Sequence, residues 1–363
     1  MSFRSNFTWM LGSKFGSIIL GSLTSALINR SLGTNGRGIY AEVLTWVGLF
    51  TVIFGLSMDS AIYHCANKSV YGNDDKSRFT TMFLLSCIYA ALAAVFLSFL
   101  AIFWPEQFST RTANLMLLID IYLILSMLVA NMTVFVQSLG HMKLSALIGV
   151  LTTVLNTAII GTAYFWKYID VKFMVISTIF IQAFTIFFLY WALSDHGLLG
   201  GRFSKSLAKG LIVSGLKQHI ATIATFFYMK INQLILLRYW GHDEVGIFAV
   251  SLNLAFALMF IPTTFREVLY PRVIHSSDEY EVTVRAMRLG FYGWGLVVLI
   301  TILLAQPILL LYGGKAFLPS VNIFRILMIA AWLLPLSSLL APLYIKMGAF
   351  GVASCSAIIL GIF

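Results

Sequence analysis

The sequence predicts an all-α polytopic membrane protein, built as two parallel six-helix lobes about a pseudo-twofold axis, with the chain cut short inside span 11. Three observations lead there. The 363 residues are 60% hydrophobic and 10% charged, with a mean hydropathy of +0.91, a balance outside the range of soluble domains. Apolar stretches of about 20 residues, the length that crosses ~30 Å of hydrocarbon, recur along the whole chain. One phrase also returns 208 positions later: Arg30-Ser31-Leu32-Gly33 and Gly38-Ile39-Tyr40-Ala41 reappear as Arg238-Tyr239-Trp240-Gly241 and Gly246-Ile247-Phe248-Ala249. The same offset relates Asp59 to Glu267, and Leu139-Gly140 to Met347-Gly348.

Eleven spans are expected, at 13–29, 39–66, 80–103, 115–139, 144–165, 173–193, 211–237, 245–270, 289–311, 321–344 and 351–363. The first is a retained span, because it carries Lys14 and no small-residue cleavage site. Gly33 to Gly38 is a tight corner joining spans one and two, and Gly241 to Gly246 repeats it between seven and eight; glycines there allow positive φ or close backbone approach. Pro262, Pro335 and Pro342 lie inside spans eight and ten, where they permit bends. Six spans separate each landmark from its copy, an even number, so the repeat is parallel rather than inverted. The polar, Gly/Lys-rich segment 194–210 reads as the linker between an N-terminal lobe, 1–193, and a C-terminal lobe, 211–363. The last stretch is too short to cross, and a half-span leaves backbone groups unsatisfied in lipid. Projecting Leu193 by the offset, the second lobe is expected to lack about 38 residues.

Loop charge sets the orientation. With the N-terminus inside, cytoplasmic segments hold twelve Lys and Arg residues against six in the outer loops, Arg30 and Arg37 among the six. The net charge of +10 therefore speaks of membrane edges rather than nucleic acid. Cys65, Cys87 and Cys355 lie in or beside spans and give no disulfide framework. The six histidines contain no HExxH pair, and Gly313-Gly314-Lys315 lacks the phosphate-loop spacing. No catalytic, cofactor or metal motif is present, so the expectation is a transporter and not an enzyme.

Charges within spans carry the functional signal, since each costs roughly 2.5–3.5 kcal/mol at mid-membrane. The basic ones are Lys14, Lys217, Lys230, Arg238, Arg266 and Arg325; the acids are Glu42, Asp59, Asp120 and Glu267. Lys14, Ser17, Gly21, Thr24 and Ser25 share one face of span one, although a lysine so near a helix start can also snorkel to the interface. Glu42, Thr45, Gly48, Gly55 and Asp59 share an arc of span two, and Asn253, Thr264 and Glu267 a face of span eight. As repeat partners, Asp59 and Glu267 should flank the pseudo-axis near the cytoplasmic side; pairing with Lys14 or Arg266 is the structural alternative. Span seven carries Thr225, Tyr228 and Asn232 on one side, with Lys230 nearly opposite. Arg30 and Arg238 either ring the outer mouth or cap helix C-termini, where positive charge is favourable. Asp120 and Arg325 read as packing residues.

Arg30-x-Leu32-Gly33-x4-Gly38-Ile39-Tyr40, echoed by Ile231-Asn232-Gln233-Leu234 and Gly241-x4-Gly246-Ile247-Phe248, resembles the Wzx-type polysaccharide-biosynthesis flippases. These belong to the multidrug/oligosaccharidyl-lipid/polysaccharide exporter superfamily. Leu311-Tyr312-Gly313-Gly314-Lys315-Ala316-Phe317, then Phe324-Arg325-Ile326-Leu327, is similar to another stretch of that family, as is Gln137-x-Leu139-Gly140-x2-Lys143. The resemblance implies two six-helix lobes that move undecaprenyl-pyrophosphate-linked repeat units across the bacterial inner membrane. It implies Lys14, Arg30, Arg238, Arg266 and Asn253 as substrate-binding candidates, and Asp59 and Glu267 as candidates for coupling to protons or sodium. Implied partners are the lipid-linked oligosaccharide, membrane lipids, and the polymerase and chain-length regulator of the same pathway. Asn232 departs from the family, whose members often have Asp there. A drug or cation antiporter of the same superfamily is the main alternative, and would favour net acid in the spans. A membrane-embedded polymerase or acyltransferase is a further one, but would bring a long outer loop or a His/Arg cluster.

Overall fold

The structure, a computed structural model, describes residues 3–66, 74–263 and 279–339. Among the described residues every regular element is helical. α1 (Phe3–Gly55) holds the first two expected spans, folded back at Gly33, where φ is 63° and ψ −172°. That region of backbone space is essentially reserved for glycine. Gly241, its partner at the 208 offset, adopts φ 81° and ψ −174° between α7 (Lys205–Trp240) and α8 (His242–Leu258). The repeated phrase thus specifies the same backbone corner twice.

Span two does not run unbroken to 66 as expected. Leu56 and Ser57 take left-handed φ values of 47° and 46°, and a separate short helix, α2 (Met58–Cys65), follows. α3 (Asp75–Phe103), α4 (Met116–Ser138), α5 (Met142–Phe165) and α6 (Val171–Asp195) complete the first half as plain apolar rods. Asp74, Asp170 and Ser204 each accept a bond from a backbone N–H three residues on, at the starts of α3, α6 and α7. Span nine is likewise interrupted: after α9 (Glu279–Leu289), which ends where the span was expected to begin, it is divided among a π-turn at Gly290–Trp294, α10 (Gly295–Leu303) and α11 (Ala305–Tyr312). The π-turn widens the helix, and α12 (Val321–Leu339) closes over it. Trp332 Nε1 donates to Phe291 O at 3.0 Å, while Trp294 Nε1 donates to Ala331 O at 2.8 Å.

Eight described stretches are long and apolar enough to cross a membrane, the first of them the folded pair Phe15–Gly55. The protein is a multi-pass membrane protein. α7 is not among the eight; its 36 residues span about 54 Å but carry Lys209, Lys217, His219 and Lys230. Ten of the eleven expected spans fall wholly or largely on described helices; the last, 351–363, and Pro342 lie outside the described residues.

The segment expected as a linker is tied down. α7 starts at Lys205, not 211, and the residues before it lie on α3. The Arg202 N–H donates to Ser77 Oγ at 3.2 Å and the Ser204 N–H to Thr81 Oγ1 at 3.0 Å. A Cβ on Gly201 would sit 2.2 Å from the Lys76 carbonyl carbon. One buried cluster at this end combines Met58 and Ile62 of α2, Met82 of α3, Phe135 of α4, Leu193 of α6 and Leu211 of α7. At the same end the rings of His141 and His196 stack with centroids 4.5 Å apart.

Candidate functional site

The repeated phrases meet each other. A Cβ on Gly38 would lie 1.8 Å from the carbonyl oxygen of His242, and one on Gly246 would lie 2.1 Å from that of Thr34. By the 208 offset Gly38 corresponds to Gly246 and Thr34 to His242, so one contact is made twice, as across a twofold interface. Both glycines are buried and face backbone, so only hydrogen in place of a side chain permits the approach. Ala41, Val245 and Ala249 pack immediately below, with small side chains that keep the helices close.

Polar groups clasp the crossing. Asp243, in the first turn of α8, accepts from Thr34 Oγ1 and, at 3.3 Å, from Asn35 Nδ2; a carboxylate there also suits the helix dipole. The fully buried Glu42 carboxylate accepts from the Ser109 N–H at 3.1 Å and Thr112 Oγ1 at 2.8 Å. Its remaining contact is His242 Nε2 of α8 at 2.9 Å. One turn deeper, Thr45 Oγ1 donates to Gln233 Oε1 of α7 at 2.7 Å, with both residues buried. Arg30 donates to Leu311 O at 2.7 Å, and Tyr312 OH to Ser25 Oγ at 2.8 Å.

Toward the Asp59 end, among the described residues, α7 packs on the end of α1, on α2 and on α3, and Phe15 meets Phe260 with ring centroids 6.4 Å apart. The Ser57 and Thr222 hydroxyls are 2.7 Å apart, and His219 Nε2 is 3.1 Å from Ile53 O. Polar side chains are exposed to either side of these contacts: Asp59 and Ser60 on α2 and Gln218 on α7 toward the Asp59 end, and Thr225 and Asn232 on α7 toward the Gly33 end. The three on α7 recur every seventh residue, which places them on one face. A polar stripe is costly against hydrocarbon and suits a water-filled cleft.

The sequence-predicted residues are not gathered into one cluster. Arg30 binds a carbonyl in the last turn of α11, the helix-capping alternative rather than the open ring, and it does so across the two halves. Arg238 is exposed near the end of α7, and Asn253 is half-buried within α8. Asp59 is exposed in the first turn of α2. The backbone of Lys14 lies in α1, but its side chain, like Arg266 and Glu267 entirely, is outside the described residues. Asp120 accepts from Ser98 Oγ, and Arg325 donates to Ile302 O, so the two do not pair with each other.

Arg37 corrects an expectation. Counted as an outer-loop residue, it is 4% exposed, its guanidinium carbon lies 5.5 Å from the Tyr40 ring centre, and its Nε has no partner. The fold at Gly33 starts the next helix early and turns Arg37 inward. The clasp partners His242 and Asp243 were likewise not picked out by sequence, and Gln233 entered only within a family motif. Their signal was the offset itself, which places His242 opposite Thr34. Among the described residues no group of three or more His, Cys, Asp or Glu side chains could hold a metal ion.

Several solved structures with this fold are named as transporters. The chain superposes on an inward-facing multidrug resistance MATE family transporter of the MOP superfamily with a TM-score of 0.68 at 14% identity, covering 95% of this chain and 84% of that one. An outward-facing MATE family transporter gives 0.65 at 14% identity, covering 99% and 85%. A variant of the Vibrio cholerae MATE transporter VcmN gives 0.62 at 14% identity, covering 99% and 87%. No curated protein sequence matches. Residues 3–277, the repeated phrases and the clasp between them included, match the family described as polysaccharide biosynthesis protein, and the chain belongs to that family.

Proposed function

We propose that this protein is a flippase that carries an undecaprenyl-pyrophosphate-linked oligosaccharide, an O-antigen, capsule or exopolysaccharide repeat unit, from the cytoplasmic to the periplasmic leaflet of a bacterial inner membrane. The observation that carries this reading is the difference between the two ends. Glycine crossings and a polar clasp close the Gly33 end, while exposed Asp59, Ser60 and Gln218 stand at the other, and Thr225 and Asn232 continue the Gln218 face of α7 toward the clasp. Loop charge puts the closed end outside, so the halves 1–193 and 211–363 would rock about 194–210 between inward- and outward-open states. A lipid-linked sugar needs this: its anionic head cannot cross hydrocarbon unaided, whereas its tail can stay in lipid.

In this scheme Arg30, exposed but bonded to Leu311 O across the seam, exchanges that carbonyl for the substrate head group as the seam opens. Lys14, Arg238, Arg266 and Asn253 are the other head-group ligands, and Asp59 with Glu267 the groups for proton or sodium coupling. Handover would be to the polymerase and chain-length regulator of the pathway. The chain acts as a transporter, not an enzyme.

The test is reconstitution in proteoliposomes with a fluorescent lipid-linked oligosaccharide, reading its movement between leaflets, beside a drug-efflux assay on the same vesicles. Sugar-lipid transfer without efflux is expected. Efflux without transfer would establish the antiporter reading, which the multidrug names of the structural neighbours favour. Elongation of the sugar would establish the polymerase. Glu42 and Asp120 already serve hydrogen bonds within the fold, which leaves Asp59 as the exposed span acid among the described residues.

A further inference from the structure

Two adjoining clefts lie on the flank of the first half, at the Gly33 end, and neither belongs to the seam. The first, about 650 Å³, opens between α5 and α6 and is walled by Ile159, Ala163, Trp166, Phe173 and Ile176. The second, about 510 Å³, is the more polar of the two and lies between the 31–36 corner, the 111–115 segment and the start of α6, with Ser31, Asn35, Arg111 and Asn114 in its wall. Asp170 and Lys172 line both, so the clefts adjoin. Together they make a slot that is apolar along the membrane and polar where the membrane meets water.

Depth and charge identify what fits. Trp166 and Tyr168 flank the slot and are 76% and 69% exposed, the placement of aromatic side chains at head-group level. Lys172 is an exposed cation at the junction, and Arg111 is another in the wall of the second cleft. The sole acid lining either cleft, Asp170, is occupied: its Oδ1 accepts the Phe173 N–H at 2.6 Å, capping α6. The rim therefore carries two cations against one carboxylate already oriented toward the α6 backbone, a net positive charge beside polar side chains, over an apolar groove.

We propose that this slot is a binding site for an anionic phospholipid, with the phosphate between Arg111 and Lys172 and one acyl chain along Ile159, Phe173 and Ile176. The occupant is a resident lipid rather than the transported one. All lining residues fall between 31 and 176, within the first half, whereas a transported head group passes between halves. Asn35, in the wall of the polar cleft, also donates to Asp243 across the seam, so an occupied slot buttresses the corner that closes the Gly33 end.

Native mass spectrometry of the purified full chain, titrated separately with phosphatidylglycerol and phosphatidylcholine, tests this. Phosphatidylglycerol should bind at concentrations where phosphatidylcholine does not. Each cation near the surface adds an attraction of the same order as thermal discrimination, so R111E/K172E should weaken phosphatidylglycerol binding by about tenfold or more. K205E, an exposed lysine at the opposite end, should change nothing. T162W places an indole from an exposed position into the apolar cleft and should lower occupancy with both cations intact. Equal binding of the two lipids, or unchanged phosphatidylglycerol occupancy in both R111E/K172E and T162W, would overturn the site.

Discussion

Gly38 rests on the carbonyl oxygen of His242 so closely that a methyl group at position 38 would stand 1.8 Å from it. No rotamer change relieves that contact, because the obstruction is backbone. G38A should therefore wedge the seam apart. Insertion of one carbon into a packed site costs roughly 1–3 kcal/mol, enough to shift a conformational balance between seam-closed and seam-open states by about fivefold to 150-fold. G246A, at the counterpart position against Thr34, should do the same. The check is periplasmic labelling of a cysteine placed at Ala249. Labelling should rise in both variants, and wild-type protection in both would mean that the crossing is not a gate.

Glu42 and His242 form the second lock. The carboxylate is held from the first half by Ser109 and Thr112, so it stays oriented whether or not His242 is present. H242Q retains a donor and should be mild. H242A leaves the buried carboxylate with two of its three donors, and a hydrogen bond to a charged group is worth about 1.5–3 kcal/mol. E42Q should weaken the seam by a similar amount, and combined with H242A should add little. A double-mutant cycle on thermal stability in detergent reads the coupling; additive losses would show that the pair does not act as a unit.

Much of this was legible in the sequence, and what was not has a physical reason. The span positions followed from apolar length alone, and the matching glycine corners at Gly33 and Gly241 from the repeated phrase. The break at Leu56–Ser57 left no such mark, because neither residue is Gly or Pro; packing of α2 on α7 holds them at positive φ. Arg37 was misplaced because a charge beside a corner reads as loop, whereas the corner is a single residue and the helix resumes at once. Thr45 and Glu42 stood out as polar positions in a span, but their partners Gln233 and His242 lie almost 200 residues away, and one sequence cannot specify such pairings.

The stripe on α7 gives a third prediction. Q218C, T225C and N232C place thiols on one exposed face at seven-residue intervals. If that face lines a cleft open to the Asp59 end, a membrane-impermeant maleimide supplied on that side should label all three, with rates falling from 218 to 232. Supplied from the Gly33 end, it should label none while the seam is closed. I220C, on a different face and 79% exposed, is the lipid-facing control and should resist the reagent from both sides. Labelling of 220 equal to that of 225 would mean that the stripe faces no separate aqueous space.

His141 and His196 supply a pH dependence at the Asp59 end. His141 precedes α5 and His196 follows α6, both outside the spans, and their rings stack at 4.5 Å. Burial, then the neighbouring His196, holds the His141 imidazole below its ordinary value. The folded state therefore resists a proton that the unfolded chain accepts near pH 6.5. Above that pH both states are neutral there and the stack is undisturbed. As pH falls through about 6.5 toward the lowered folded value, the unfolded state binds more protons and stability drops. In H141N this contribution disappears, so melting temperature measured in detergent from pH 8 to 5.5 should fall less steeply than in wild type. H196N, which removes only the neighbour, should flatten the curve in part. Identical slopes in all three proteins would show that the stacked pair does not set the acid sensitivity of this end of the bundle.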